Sequence, residues 1–311
     1  DSRLLWALLI DHPGDGSRGL LPATDSGRAA LSNRVRFNSP TLILPPGEYP
    51  IEPYLLNMMP NAYDMTSAPL LPLALPGGQL NASVTRPDGS VDALPGAPIV
   101  QNRLSTAALD EREAFGAQAP LDVYRLTTLN PVYTAYPFEA YGEYTINLSG
   151  SVEDVFGNRY GGGGVYRLLV AEPLKLLPGV LPGTPFHVGD AFYAGGQVLP
   201  GMPAAVSVRL MVYPVDGGDP VERVYEGRAN PDGVFTFADD EAFIFDQPGE
   251  YVIDYEARYT LPDGRLWAAS QRSAGIIADP DSPLVARGLR GLAGVDVSSR
   301  PAWFTTATYP P

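Results

Sequence analysis

Histidine, a side chain often used for metal binding and acid–base catalysis, occurs only twice in this chain, as His12 and His187. Both lie beside turn-forming residues, and no His-x-x-x-His spacing of a zinc-binding helix is present. His187 could formally belong to a Ser-His-Asp triad, but no Gly-x-Ser-x-Gly elbow accompanies it. The sequence therefore predicts surface or capping roles for both histidines, and it identifies no catalytic residue.

Carboxylates are plentiful, with 35 Asp and Glu residues in a chain of 311. A glycosidase would need two of them on either side of a cleft, and the sequence selects no such pair. Calcium prefers oxygen ligands carried on loops, which makes the acidic loop clusters weak calcium candidates. None of them has the Asp-x-Asp-x-Asp-Gly spacing, and solvated acidic loops are the alternative interpretation. The candidate ligands are Asp239, Asp240, Glu241, Asp279 and Asp281, with Glu153-Asp154 as a further acidic pair.

Two other patterns have a chemical interpretation beside a structural one. Tyr133, Tyr136, Phe138 and Tyr141 are dense enough to stack on sugar rings, although core packing explains them as well. The run Gly161–Gly164 lacks the Lys-Ser/Thr of a phosphate-binding loop, and a strand rather than a helix follows it. We predict that these four glycines form a flexible hairpin tip.

Composition excludes several classes of function. The net charge of −14 and the pI near 4.5 disfavour binding to nucleic acid or to anionic lipid. Cysteine is absent, which removes disulfides, thiolate metal sites and cysteine nucleophiles. No apolar run approaches the 18 or so residues of a membrane-spanning helix. We therefore expect no cofactor other than calcium. The absence of cysteine also fits a bacterial or archaeal origin.

A short phrase, Gly-Glu-Tyr-x-Ile, occurs three times and places Tyr49, Tyr144 and Tyr251 at equivalent positions. The tyrosines are 95 and 107 residues apart, which is close to the length of one immunoglobulin-like sandwich, about 100 residues. In Greek-key sandwiches a tyrosine at the start of a late strand often hydrogen-bonds to the preceding corner. We predict that all three are structural tyrosine corners; ligand binding by the three rings is the alternative.

The chain as a whole favours short strands joined by turns. It holds 33 glycines and 33 prolines, which interrupt long helices, and its alternating segments are rich in Val, Leu, Thr and Tyr. The segment Leu104–Phe115 is the one credible helix. We predict an all-β protein of tandem antiparallel Ig-like β-sandwiches with at most one short helix. The predicted divisions are a partial N-terminal β module or docked strands in 1–67, sandwiches in 68–172 and 173–282, and a tail or added strand in 283–311.

With its repeated Gly-Glu-Tyr phrase and its Pro-Asp-Gly turns, the chain resembles the immunoglobulin-like or fibronectin-III-like modules of bacterial extracytoplasmic surface proteins. The resemblance covers 68–282 well and 1–65 in part, and the Cys-Trp-Cys spacing of antibody domains is absent. It implies a non-enzymatic structural or adhesive protein whose partners are other proteins or copies of itself. It also implies an extracytoplasmic location in a bacterium, either secreted, periplasmic or on the cell surface. Two alternatives stay open. One is a subunit of a surface layer or filament assembled by strand or interface exchange, in which 1–45 or 284–311 supply the strands; the other is a glycan-binding or accessory region of a larger secreted enzyme.

Overall fold

A computed structural model describes residues 4–11, 18–21, 41–51, 53–57, 73–103, 122–154, 156–215, 218–238 and 241–279. Within them the protein is almost entirely β, which confirms the predicted fold class. The only helix in these ranges, α1, covers Pro131–Thr134. The predicted helix Leu104–Phe115 lies outside the described residues, as does the segment 283–311. The chain divides into two compact units, residues 1–172 and 173–311.

The described residues of unit 1 contain eleven strands. In chain order they are β1 Leu4–Asp11, β2 Arg18–Leu21, β3 Ile43–Leu44, β4 Gly47–Tyr49, β5 Pro53–Asn57, β6 Leu73–Thr85, β7 Val91–Arg103, β8 Asp122–Thr128, β9 Tyr136–Phe138, β10 Gly142–Asp154 and β11 Arg159–Val170. Nine of them form one sheet in the order β2-β1-β5-β8-β7-β6-β10-β11-β3, and β4 pairs with β9. Strand β12 (Glu172–Pro173) lies at the division between the units.

Of the described strands before residue 67, β1, β2, β3 and β5 belong to the same sheet as strands that come after it. Strand β5 pairs antiparallel with β8, with Leu56 opposite Val123, and β3 pairs parallel with β11. The long strand β7 joins both halves, because its first part pairs with β6 and its last part with β8. Its register shifts opposite Leu80 and Ala82, and such an irregularity bends a strand. Described strands from both predicted ranges, 1–67 and 68–172, thus share one sheet.

The run Gly161–Gly164 is not a hairpin tip, so that prediction is wrong. All four glycines lie within β11 and pair with β10, where Gly163 is opposite Ser149. The tip of this hairpin is the turn after Asp154 instead. Close packing explains one glycine directly: a Cβ at Gly163 would lie 2.1 Å from the carbonyl oxygen of Leu148.

Unit 2 is a sandwich whose described strands form two layers. They are β13 Lys175–Pro178, β14 Phe186–His187, β15 Ala191–Phe192, β16 Gly195–Leu199, β17 Ala205–Pro214, β18 Val221–Arg228, β19 Val234–Thr236, β20 Phe243–Ile244, β21 Gly249–Thr260 and β22 Leu266–Ala278. One layer has the order β22-β21-β17-β18, with β14 parallel to β22; the other contains β13-β16-β19 and the pair β15-β20.

The core of unit 2 lies between these two layers. Strand β17 places Val206, Val208, Leu210 and Val212 on its buried side, in the alternation of a half-buried strand. They belong to one apolar cluster with Val198 of β16 and with residues of β21 and β19, among them Tyr251, Ile253, Tyr255, Ala257 and Phe235. Because the inward positions are fixed by this core, the alternate positions of each layer must face outward.

Candidate interaction surface

His187 is the exposed last residue of β14, directly before a turn of unit 2. Its backbone N–H donates to the Asp190 carboxylate at 2.7 Å, and its Nδ1 is 3.4 Å from the same oxygen. Asp190 therefore caps the turn that leads from β14 into β15. This geometry suits the predicted surface or capping role, while His12 lies outside the described residues.

The acidic loop candidates are only partly described. Glu241 is exposed, and its backbone N–H donates to the carbonyl of Ala238 at 2.9 Å. Asp279 is half-buried, whereas Asp239, Asp240 and Asp281 lie outside the described residues. In the described part of the chain, no three His, Asp or Glu side chains lie close enough together to hold a metal ion. Calcium binding stays a prediction.

Asp154 has a structural use that competes with a calcium role. Its Oδ1 accepts from the backbone N–H groups of Phe156 and Asn158 at 2.9 and 2.8 Å, and its Oδ2 accepts from the Asn158 side chain and the Tyr160 hydroxyl at 2.8 and 3.0 Å. A carboxylate has about four lone-pair sites, so protein donors fill this one. Burial alone would raise the pKa of Asp154, but these hydrogen bonds outweigh it and hold the pKa below its ordinary value. The turn presents the exposed Phe156.

A second polar cluster closes the opposite end of unit 1. Arg86 approaches the Asp92 carboxylate with both Nε and Nη2, at 2.8 and 2.7 Å, and the Tyr136 hydroxyl donates to the same oxygen. These bonds, first that from Tyr136 and then that from Arg86, lower the pKa of Asp92. Burial, and next the bond to Asp92, raises the pKa of Tyr136 to about 12. The cluster ties the β6–β7 hairpin to β9 and uses all three groups structurally.

The three repeated tyrosines are buried and use their hydroxyls differently. Tyr49 donates to the carbonyl of Pro45 at 2.7 Å, and Tyr144 accepts from the N–H of Ala140 at 3.0 Å; each partner lies four residues earlier. Tyr251 donates instead to the carbonyl of Thr184, 67 residues away. It thereby fastens the segment before β14 to the sheet rather than its own turn. The corner role of the three residues stays a prediction, with Tyr251 in a different setting from the other two.

The aromatic cluster proposed for sugar stacking is mostly core. Tyr133, Tyr136 and Phe138 are buried, and the Phe138 ring makes contacts with Tyr136 and Tyr144 at centroid distances of 4.8 and 5.1 Å. Tyr141 is half-buried and donates to Glu172 at 3.2 Å. Rings enclosed in this way cannot stack on a glycan, so that interpretation is wrong for the three buried residues.

One outer face of unit 2 is covered with charges of both signs. We call it the charged face; it comprises the outward positions of β17, β18, β21 and β22. Arg272 binds Asp254 with two hydrogen bonds of 2.6 and 2.9 Å, and Arg209 lies 2.6 Å from Glu222. The register places Arg209, Asp254 and Arg272 side by side across three strands. Its other charged residues are Glu226, Arg228, Glu250, Glu256 and Arg258.

The opposite outer face of unit 2 has a different composition, and we call it the apolar face. Leu176, Val198 and Phe235 point into the core, so the residues beside them in β13, β16 and β19 point outward. The face comprises Leu177, Tyr193, Gln197, Val234, Thr236 and Ile244. Lys175 is the one charged residue at the outward positions of β13, β15, β16, β19 and β20, and no carboxylate is among them.

The pairing of the strands makes the apolar face continuous. Leu177, Gln197 and Val234 are directly opposite one another across three strands. Tyr193 lies four residues before Gln197 in the same run of the chain, and Ile244 pairs with Ala191. With strands about 4.8 Å apart and about 3.3 Å per residue, the described part of the face extends over roughly 10 by 13 Å. Tyr193 is 55% exposed and Ile244 53%, which is high for side chains of this size.

Comparison with known proteins adds little to this description. No protein-family model matches the chain, and no curated protein sequence matches it. A structure concerned with host cell surface retention of a 1.5-MDa bacterial ice-binding adhesin is similar over 89% of this chain and 65% of its own length, with 8% identity and a TM-score of 0.25. The native conformation of E. coli alpha-2-macroglobulin is similar over 89% of this chain and 16% of its own, with 14% identity and a TM-score of 0.30.

Fibronectin(III)-like modules of Clostridium thermocellum CbhA are similar over 79% of this chain and 94% of their own length, with 11% identity and a TM-score of 0.23. Similarity at these TM-scores carries no inference about the fold or the function of this chain. The chain also spans less than two thirds of the adhesin structure and of the macroglobulin. What the molecule can do must therefore be inferred from its own surface.

Within the described residues there is no helix that is long and apolar enough to cross a membrane.

Proposed function

We propose that this chain is a non-enzymatic, extracytoplasmic protein of structural or adhesive function, and that unit 2 makes its contacts through the apolar face. The observation that supports this most strongly is the difference between the two outer faces of one sandwich. The charged face is suited to water, because its opposite charges compensate one another. The apolar face exposes Leu177, Tyr193, Val234 and Ile244 with no carboxylate among its outward positions.

The composition of the apolar face suits a protein partner better than a glycan. The centres of protein interfaces are depleted in charged residues and enriched in aromatic ones, especially tyrosine. Sugar-binding faces need several flat aromatic rings with hydrogen-bonding groups between them, whereas Tyr193 is the one aromatic residue at the outward positions described here. Leu177, Val234 and Ile244 instead offer aliphatic surface, which packs against other apolar side chains.

Assembly by exchange of N-terminal strands receives less support than assembly through a face. Strand β1 already pairs with β2 and β5 of its own unit, and β3 pairs with β11. Exchange would have to break these pairs before making equivalent ones in a neighbour. Contact through a preformed face requires no such loss, and most interface backbones move little on binding.

Two experiments test the proposal. Protease added outside intact cells of the native host, or outside cells with a permeabilised outer membrane, should digest the chain and leave a cytoplasmic marker whole. The full chain, displayed on a non-adherent bacterium, should retain cells under flow on protein-coated surfaces, and Val234→Glu should reduce that retention. Absence of retention on every surface, including one coated with the chain itself, would contradict an adhesive function.

A further inference from the structure

We propose that the apolar face binds a second copy of this chain, so that two copies associate face to face through unit 2. This inference rests on the proposed function and names the partner of the same surface. It commits to one occupant, another copy, rather than a different protein or a glycan. Its basis is the distribution of charge over a strongly acidic molecule.

Net charge limits where two identical copies can meet. Each copy carries −14, so two copies repel one another at long range, and carboxylates brought together in a contact add a local penalty. The outward positions of the apolar face hold no carboxylate and one cation, Lys175, at the end of β13. Of the two outer faces described above, this is the one whose outward strand positions hold no carboxylate. The exposed Asp232 borders it, in the turn whose backbone carbonyl accepts from Gln197.

Symmetry leads to the same assignment. In a two-fold dimer the same patch lies on both sides of the contact and must be complementary to itself. A charged patch satisfies this only if its positive groups meet negative ones after the rotation, whereas an uncharged apolar patch satisfies it at once. Tyr193, Val234 and Ile244 can therefore pack against their own equivalents, and the neutral side chains of Gln197 and Thr236 can hydrogen-bond across the axis in either direction.

The surface near Tyr193 is also shaped for close contact. Gly195 precedes Gln197 on the outward side of β16, between Tyr193 and the row of Leu177 and Val234. A glycine adds no side chain of its own, so approach to the backbone there is limited by the neighbouring Thr236 methyl, which lies 3.5 Å from where a Cβ would be. The central patch of about 10 by 13 Å is small beside a standard interface, which buries about 800 Å² on each partner. The association should therefore be weak and visible only as the concentration is raised.

Sedimentation velocity of the full chain tests this directly. The weight-average mass should rise reversibly with concentration from 33.2 kDa toward twice that value. Added salt should strengthen the association, because it screens the repulsion between two acidic copies and the contact itself contains no ion pairs. A mass that stays that of one chain at every concentration would overturn the proposal, as would association that salt dissolves.

Two valine substitutions localise the contact. Val234→Glu places a carboxylate at the centre of the apolar face, and in a two-fold dimer it does so twice, so the dissociation constant should rise more than about tenfold. Val224→Glu is the matched control: Val224 is 47% exposed against 41% for Val234, lies outward on β18 of the charged face, and acquires the same charge. Its dissociation constant should be unchanged. Equal effects of the two substitutions would overturn the assignment of the face.

Further measurements separate this inference from the proposed function. If the circular dichroism spectrum shows that Val234→Glu alters the fold, Thr236→Glu is used in its place, since Thr236 is another exposed position of the same face. One outcome would support the adhesive function and overturn the second copy as partner. In it, the unsubstituted chain stays monomeric at every concentration, and Val234→Glu still abolishes retention of cells on other proteins. Binding of a glycan array that the same variant abolishes would likewise overturn the commitment to a second copy.

Discussion

The hydroxyl groups of two buried tyrosines in unit 1 should differ in their effect on stability. Tyr49 donates to the carbonyl of Pro45 at 2.7 Å, and its ring packs over Gly47 and near Phe138, at a centroid distance of 6.1 Å. Tyr166 is also buried, but its hydroxyl has no hydrogen-bond partner among the described residues. Replacing either tyrosine by phenylalanine keeps the ring and removes only the hydroxyl, which makes the two variants a matched pair.

The expected effects have opposite signs. An intramolecular hydrogen bond contributes a net amount of about 1 kcal/mol to the free energy of unfolding. The half-buried Pro45 carbonyl can accept from water when the hydroxyl is removed, so Tyr49→Phe should lower that free energy by about this amount. In a unit of 172 residues this corresponds to a fall in melting temperature of about 2–4 °C. Tyr166→Phe removes a buried polar group that has no partner, so the melting temperature should stay the same or rise.

Differential scanning calorimetry of the full chain measures both variants, with the unit 1 transition followed in each. Tyr144→Phe provides an internal comparison, because its hydroxyl accepts from the N–H of Ala140 and should behave like that of Tyr49. Equal destabilisation by Tyr49→Phe and Tyr166→Phe would refute the reasoning, since it would mean that the hydrogen bonds of the repeated tyrosines make no specific contribution.

Three other predictions concern packing, charge and pH. In urea unfolding, Gly163→Ala should lower the free energy of unfolding by at least about 2 kcal/mol, because its Cβ would lie 2.1 Å from a carbonyl oxygen of β10. Gly161→Ala, whose nearest contact would be at 3.8 Å, should change that free energy by less than about 0.5 kcal/mol. Arg272→Leu should lower the free energy of unfolding by up to about 3 kcal/mol, because the buried Asp254 loses its partner. The double variant Arg272→Leu/Asp254→Leu should recover most of that free energy. A loss in the double variant equal to the sum of the two single losses would contradict this. Burial raises the pKa of Tyr255 to about 12, above the value near 10 of a tyrosine in an unfolded chain. Between these two pH values the folded state retains a proton that the unfolded state loses. The free energy of unfolding should therefore fall as the pH rises from about 10 to 12. Ultraviolet titration of the chain and of its Tyr255→Phe variant checks this, because the tyrosinate signal that the variant lacks should appear in step with unfolding and not before it.

Local patterns determined much of what could be predicted from the sequence. The alternating apolar segments behind the all-β prediction include two that the structure shows as strands, Ala205–Pro214 and Gly249–Thr260. These segments face a core on one side and water on the other, so their side chains reveal their conformation. The run Gly161–Gly164 was mispredicted because glycines have no side chains to alternate, and their strand is fixed by its pairing with β10.

Features that depend on distant residues could not be predicted in this way. The partner of Tyr251 is Thr184, 67 residues earlier, and a repeated local phrase predicts only a local partner. The apolar face requires the register that brings Leu177, Gln197 and Val234 into one row. Each is unremarkable in its own segment, and only the pairing of β13, β16 and β19 shows that they share a surface without carboxylates.

The apolar face can be tested most directly by hydroxyl-radical labelling of exposed side chains at low and at high protein concentration. Tyr193 reports on this face, and Phe156, which is 78% exposed on a turn of unit 1, is an aromatic reference outside it. Labelling of Tyr193 should fall as the concentration rises, while labelling of Phe156 should stay constant, and Val234→Glu should abolish the difference. Equal labelling of Tyr193 at all concentrations, or protection of Phe156 instead, would contradict association through the apolar face.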